Sequence, residues 1–332
     1  MERRPFLALL TAAVAGCSAT DRPTEMSTSR ETRTATATPE PTETPTETPT
    51  ATPEPTETPT AAEAEAREAI DEVQSTLGAV VEQYRGNAET MLAVDASTVG
   101  FEEGNVLDGA AEAKRETERA RDRVVTEGQE RTLERLVTVR RFLRAAAETQ
   151  VALVGAHRHL RETRAALANE SSEAAEASLT RMDTERRIAQ APYTTLVEET
   201  NAEAMAALSA LDASTYRAKR EQFDAEMRAF GDLRGPLDQF LGAVSTLEAA
   251  AALAQNGSTE TAEDRAETAV ERFEAAEESL AAFAEGLDTP ADALAPIARD
   301  LRGLADEKAT ATRSRFDLSD GGTTTTSATD AN

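Results

Sequence analysis

The chain has 332 residues, with 61 Asp and Glu against 35 Lys and Arg, and a formal net charge of −26 at pH 7. A surface of that sign repels nucleic-acid phosphates and anionic membrane faces, which excludes nucleic-acid binding as a function class. A single cysteine excludes a disulfide framework and multi-cysteine zinc sites, and two histidines, His157 and His159, cannot make a three-histidine metal centre.

Residues 1–16, MERRPFLALLTAAVAG, start with charge, continue as an apolar run from Pro5 and end in small residues, the layout of a signal peptide. The run is about twelve residues, short of the roughly twenty that span a bilayer as a helix. Within it, Arg3-Arg4-Pro5-Phe6-Leu7 resembles the R-R-x-F-L core of twin-arginine export signals, and Val14-Ala15-Gly16-Cys17 resembles a lipobox. The resemblance implies that a lipid alkylates the Cys17 thiol and that the chain is cut just before it, placing the protein on the extracellular face of the cytoplasmic membrane. A two-chain lipid anchors stably where a single acyl chain holds only marginally. Two arginines also begin general secretory signals, so the export route stays open, and cleavage without lipidation would release the protein.

Lysine occurs only at Lys114, Lys219 and Lys308, the other basic residues being arginine. Acid excess with scarce lysine resembles the proteins of halophilic archaea, although a GC-rich genome gives the same arginine and alanine bias. The resemblance implies that concentrated salt, which shortens the Debye length to about 3 Å at 1 M, screens the self-repulsion.

Residues 17–61 form the lipid-attachment site and a stalk. From 34 to 60 the sequence holds twelve Thr, seven Pro, five Glu and three Ala, with no side chain able to seed a core. Proline favours extended polyproline II and the glutamates repel one another, so the stalk is expected to be disordered and long, residues 18–61 reaching roughly 130 Å at about 3.1 Å per residue. Its composition resembles O-glycosylated mucin-like stalks. Residues 316–332 form a polar tail of similar character.

Residues 62–315 read as helix throughout. Ile70, Val73, Leu77, Val80 and Tyr84 recur at steps of three and four, as do Leu237, Phe240, Val244, Leu247 and Ala251. Further stripes run from Ala266 through Phe273 and Leu280 to Leu287, and from Leu294 through Ile297 and Leu301 to Leu304. The stretch from about 129 to 168 is apolar on two faces and so belongs in the middle of a bundle. Asp212 is expected to cap the stripe of Tyr216, Phe223, Met227 and Phe230, with Gly235-Pro236 as its break from the next. Gly286 is expected in the left-handed conformation, followed by Thr289 as N-cap and Pro290 at N1. The fold class is all-α: a bundle of seven or eight long, coiled-coil-like helices behind a disordered stalk. Coiled-coil spacing is satisfied equally within or between chains, so the oligomeric state stays open.

No catalytic motif is visible: G-x-S-x-G, H-E-x-x-H, a Walker A loop and a dinucleotide glycine pattern are all missing. The expectation is a non-enzyme without a cofactor that acts by binding or by shaping the envelope, with the membrane and an envelope or surface protein as partners. The alternative is a metal or small-ligand binder built around His157, His159 and Glu162 in the stretch GAHRHLRE. His159 and Glu162 share a helix face at a spacing used for metals in bundles, but one such pair supplies too few ligands. The stretch distantly resembles the G-x-H-x-x-E motif of imelysin-like surface proteins, with a register that fails. The loop beginning at Asp95 has Val99 and Val106 where a calcium loop needs oxygen ligands, so it is set aside. Asn169-Glu170-Ser171 and Asn256-Gly257-Ser258 are N-glycosylation sequons expected in turns.

Overall fold

The computed structural model describes residues 59–318. The export residues Arg3, Arg4, Phe6 and Leu7, the lipid-attachment residue Cys17, almost all of the stalk and the end of the tail lie outside the described residues. The described chain is an all-α bundle: α1 (Ala61–Arg85), α2 (Glu103–Arg121), α3 (Glu127–Ala168), α4 (Ser172–Glu199), the single turn α5 (Ala202–Met205), α6 (Ala213–Asp232), α7 (Arg234–Gln255), α8 (Thr259–Glu285) and α9 (Ala295–Phe316). Two 3-10 segments, Met91–Ala93 and Thr289–Leu294, complete it, and no strand occurs among the described residues. No described helix is long and apolar enough to cross a membrane.

The first helix starts on a capping box. Thr60 accepts a hydrogen bond from the Glu63 N–H at 3.2 Å while the Glu63 carboxylate accepts one from the Thr60 N–H at 2.7 Å, satisfying two N–H groups that the helix itself leaves unpaired. Asp212 caps α6 as expected, accepting from the Ser214 hydroxyl and from the Thr215 N–H at 2.6 Å each, and these bonds hold its carboxyl down at about 2.

Two expected breaks are placed differently. The α6–α7 kink falls at Leu233, and Gly235 and Pro236 sit in the first turn of α7, where a missing N–H costs nothing. Gly286 ends α8 at φ −85°, a right-handed conformation, and Asp288 rather than Thr289 is the N-cap of a 3-10 segment that precedes α9. The short loop continues the helical turn in tightened form, so no left-handed residue is needed there.

α3, with 42 residues about 63 Å long, is the axis of the bundle. It packs along most of α4 and touches α1, α2, α5, α6, α7 and α9, which its two apolar faces require. The contacts Gly155 to Glu185 and Glu162 to Arg181 run in opposite order, so α3 and α4 are antiparallel. The pairs Glu63–Gln129 and Tyr84–Gln150 advance together, so α1 and α3 are parallel with α2 between them in sequence. At Gly109 and Gly155 the helices approach so closely that an added Cβ would lie 2.6 Å from Val80 Cγ2 and 3.1 Å from Glu185 Cδ. α7, α8 and α9 pack in succession, with Phe240 and Phe273 edge to face at 5.6 Å.

The expected stripes form the core. Ile70, Val73, Leu77, Val80, Tyr84, Leu237, Phe240, Val244, Leu247, Phe273, Leu280, Leu294 and Leu301 are all buried. Each fully buried Leu, Val or Phe contributes about 1.5–3 kcal/mol. Many remaining core positions are alanine, which lets the helices approach at the cost of apolar area per residue.

Candidate functional site

The second half of α3 forms one wall of an open cleft of about 720 Å³. His157, Arg161 and Arg164 follow at steps of four and three on one helix face, with Arg158, Glu162 and Ala165 beside them. The opposite wall is Ala293 of the Thr289–Leu294 segment with Pro296, Ile297 and Asp300 at the start of α9, and Ser97 closes one end. Asp95 holds Ser97 there by accepting from its N–H at 2.8 Å and its hydroxyl at 2.7 Å, an Asx turn rather than a calcium loop.

The three polar residues singled out in the sequence separate here. His159 Nδ1 meets Glu162 Oε2 at 2.8 Å, and an Arg158 guanidinium nitrogen meets His159 Nε2 at 3.3 Å, so the arginine donates to one ring nitrogen and the other donates to the carboxylate. Both ring nitrogens are engaged. Glu162, also 3.9 Å from Arg181, has its carboxyl held low by the His159 hydrogen bond. His157 lines the cleft instead; burial and then the Arg161 charge push its imidazole below the usual histidine range, so it is neutral at pH 7. Among the described residues no group of three or more His, Cys, Asp or Glu is placed to hold a metal ion.

The arginines are what distinguishes the cleft. Arg161 makes no hydrogen bond or ion pair among the described residues. Arg164 reaches only Asp300, at 4.0 Å, and its Nε is buried without a partner. Guanidinium donors left free in a chain of net charge −26 are chemically complementary to an oxyanion. Arg158 and Arg161 stand in GAHRHLRE itself, but the facing wall comes from α9, some 130 residues later, and nothing local signals it.

A second polar cluster lies in the interior. Lys219 is fully buried on α6, donating to the Val94 carbonyl, to Gln150 Oε1 at 2.9 Å and to Gln222 Oε1 at 3.1 Å. The Tyr84 hydroxyl donates to the same Gln150 oxygen at 3.0 Å. Gln222 Nε2 donates to Glu226 Oε1 at 3.2 Å, which also accepts from the Ala96 N–H at 3.3 Å. The ammonium lies 4.6 Å from the centre of the Phe223 ring. Burial pushes Lys219 down, with Glu226 and Asp95 opposing, and pushes Glu226 up, with Lys219 opposing. Glu226 Oε2 and Gln150 Nε2 are buried without a partner among the described residues, so the cluster is costly as well as binding. Its donors and acceptors pin the 92–96 backbone to α6, which positions the turn carrying Ser97 at the cleft.

Both sequons lie at helix ends. Asn169 is the C-cap of α3 and Asn256 that of α7, each exposed. Gly257 at φ +80° completes the second cap, whereas Glu170 at φ +54° takes that position in the first, stabilised by Lys308 at 2.8 Å and Arg315 at 3.4 Å from α9. Comparison with models of protein families, with known proteins and with solved structures finds no match for this chain, so the reading of its site rests on the site's own geometry.

Proposed function

We propose that the chain is an exported lipoprotein, held through Cys17 at the extracellular face of the cytoplasmic membrane, which presents its helical bundle on the Thr/Pro/Glu stalk and acts by binding rather than catalysis. The observation that carries the reading is the order of segments: the sole cysteine ends an apolar run of about twelve residues, a stalk follows it, and the bundle comes last. The binding face in this proposal is the cleft between α3 and α9, because it combines free guanidinium donors with an apolar wall. The metal variant of the reading is disfavoured by the engagement of both His159 nitrogens, while His157 and Glu162 border the same cleft and support a small-ligand variant.

Replacing Cys17 tests the anchor. In the native host, Cys17→Ser is expected to move the protein from the membrane fraction to the medium or to leave it as an unprocessed precursor. A variant that is processed and retained like the wild type contradicts the proposal.

A further inference from the structure

We infer that the α3–α9 cleft takes a small organic anion, with a carboxylate or phosphate group held by Arg161 and Arg164 and an apolar portion against Pro296 and Ile297. The inference rests on the reading of this cleft as the binding face and adds the chemical class of the ligand. Its volume of about 720 Å³ matches the range of small-molecule sites. The two walls differ in chemistry: α3 contributes the arginines, whereas the facing wall is apolar except for Asp300. Such an arrangement orients a ligand with one charged and one apolar end.

The free donors point to the same class. Arg164 meets only Asp300, at 4.0 Å, beyond hydrogen-bond reach, so its exposed terminal nitrogens stay available to an oxyanion; Arg161 has its whole fork available. Glu162 does not oppose such a ligand strongly, because its carboxylate is turned to His159 and Arg181. His157, neutral beside Arg161, offers a hydrogen-bonding group without further charge. The net charge of −26 repels anions at long range, so recognition has to come from contact geometry. Contacts of that kind persist in concentrated salt, where a long-range field would be screened.

Isothermal titration of the full-length chain with four probes tests the inference. Phthalate and phenyl phosphate carry both an oxyanion and an apolar ring, inorganic phosphate carries only charge, and benzyl alcohol carries essentially the ring. The expected result is saturable one-site binding of phthalate or phenyl phosphate, with the stronger of the two identifying carboxylate or phosphate as the preferred group. Inorganic phosphate and benzyl alcohol should bind at least about tenfold more weakly, a difference that separate contributions from charge and ring produce. Arg161→Gln and Arg164→Gln should each lose about tenfold or more with unchanged circular dichroism and melting, while Arg265→Gln, at an exposed position on α8 away from the cleft, should bind as the wild type does. No saturable binding of either organic anion up to about 10 mM, or binding untouched by the Arg161 and Arg164 substitutions, overturns the inference. Benzyl alcohol binding that Ile297→Trp abolishes and Arg161→Gln does not would keep the cleft as binding face and sink only the anionic class. Binding of every probe unaffected by Ile297→Trp would sink the cleft itself.

Discussion

The interior around α6 and the interior of α7, α8 and α9 are built on opposite principles. At α6 a lysine and a glutamate are buried together with Gln150, Gln222 and Tyr84, and their hydrogen bonds reach across to α1, α3 and the 92–96 backbone. Between α7, α8 and α9 no charged side chain is buried among the described residues: the seam is Phe240 against Phe273 with Ala243, Ala266, Ala269, Ala276, Ala298 and Ala305. Its buried Thr246 and Thr312 bond back to their own helices at 2.7 Å each. The dry seam gains stability from close approach of many small residues. The polar interior gives up part of that gain to fix one irregular segment in one place. Where the chain runs as regular helix alanine suffices, and where a loop must be held against a helix the core becomes polar.

The largest expected effect separates the two regions. Lys219→Met removes the donor for three buried acceptors and, at about pH 7 where the ammonium still carries part of its charge, leaves Glu226 without it, so urea unfolding at that pH should show a loss of about 3–5 kcal/mol. The double variant Lys219→Met, Glu226→Leu should recover much of that loss. Equal loss in single and double variants would mean that the burden lies in the hydrogen bonds and not in the unpaired charge.

The same pair gives a pH signature. Glu226 is raised in the folded state to about 7 from 4.5, so the folded protein binds more protons between those values and the pair's contribution grows as pH falls through that window. Lys219 is lowered to about 7 from 10.5, so its penalty fades as pH rises from about 7 towards 10.5. The stability of the wild type relative to the double variant should therefore be lowest near neutral pH and rise on both sides. A flat difference between pH 5 and 9, measured by urea titration at each pH, would show that the pair does not titrate as its burial implies.

Overpacking should find the dry seam less forgiving than the surface. Ala276→Leu, fully buried between α8 and its neighbours, is expected to cost about 1–3 kcal/mol, whereas the same change at exposed Ala282 should be nearly silent. The smallest effect is expected where α3 ends against α9. Glu170→Gly relieves a left-handed glutamate but loses its pairs with Lys308 and Arg315, so the net change should stay within about 1 kcal/mol. Glu170→Ala should be the worse of the two, since alanine keeps the strain and loses the pairs.

The stripes were legible because helical burial repeats every three or four residues, and the two-faced stretch around Leu143 and Leu153 correctly implied a central helix. The 3-10 entry to α9 was not, because Asp288 and Thr289 are equally good capping residues and the loop geometry decides between them. Lys219 left a trace: the stripe jumps from Tyr216 to Phe223, and one of the chain's three lysines fills the vacant position. Glu226 left none, since among 61 acidic residues one more glutamate beside Met227 reads as surface. The cleft was half legible, its histidine and two of its arginines standing in one short stretch and its apolar wall belonging to a segment that only the tertiary fold brings near.

The decisive measurement is the mass of the N-terminal peptide of protein extracted from native membranes. The expected peptide begins at Cys17 and carries a two-chain lipid on its sulfur. A mature protein that begins elsewhere, or a Cys17 recovered as a free thiol, would contradict it.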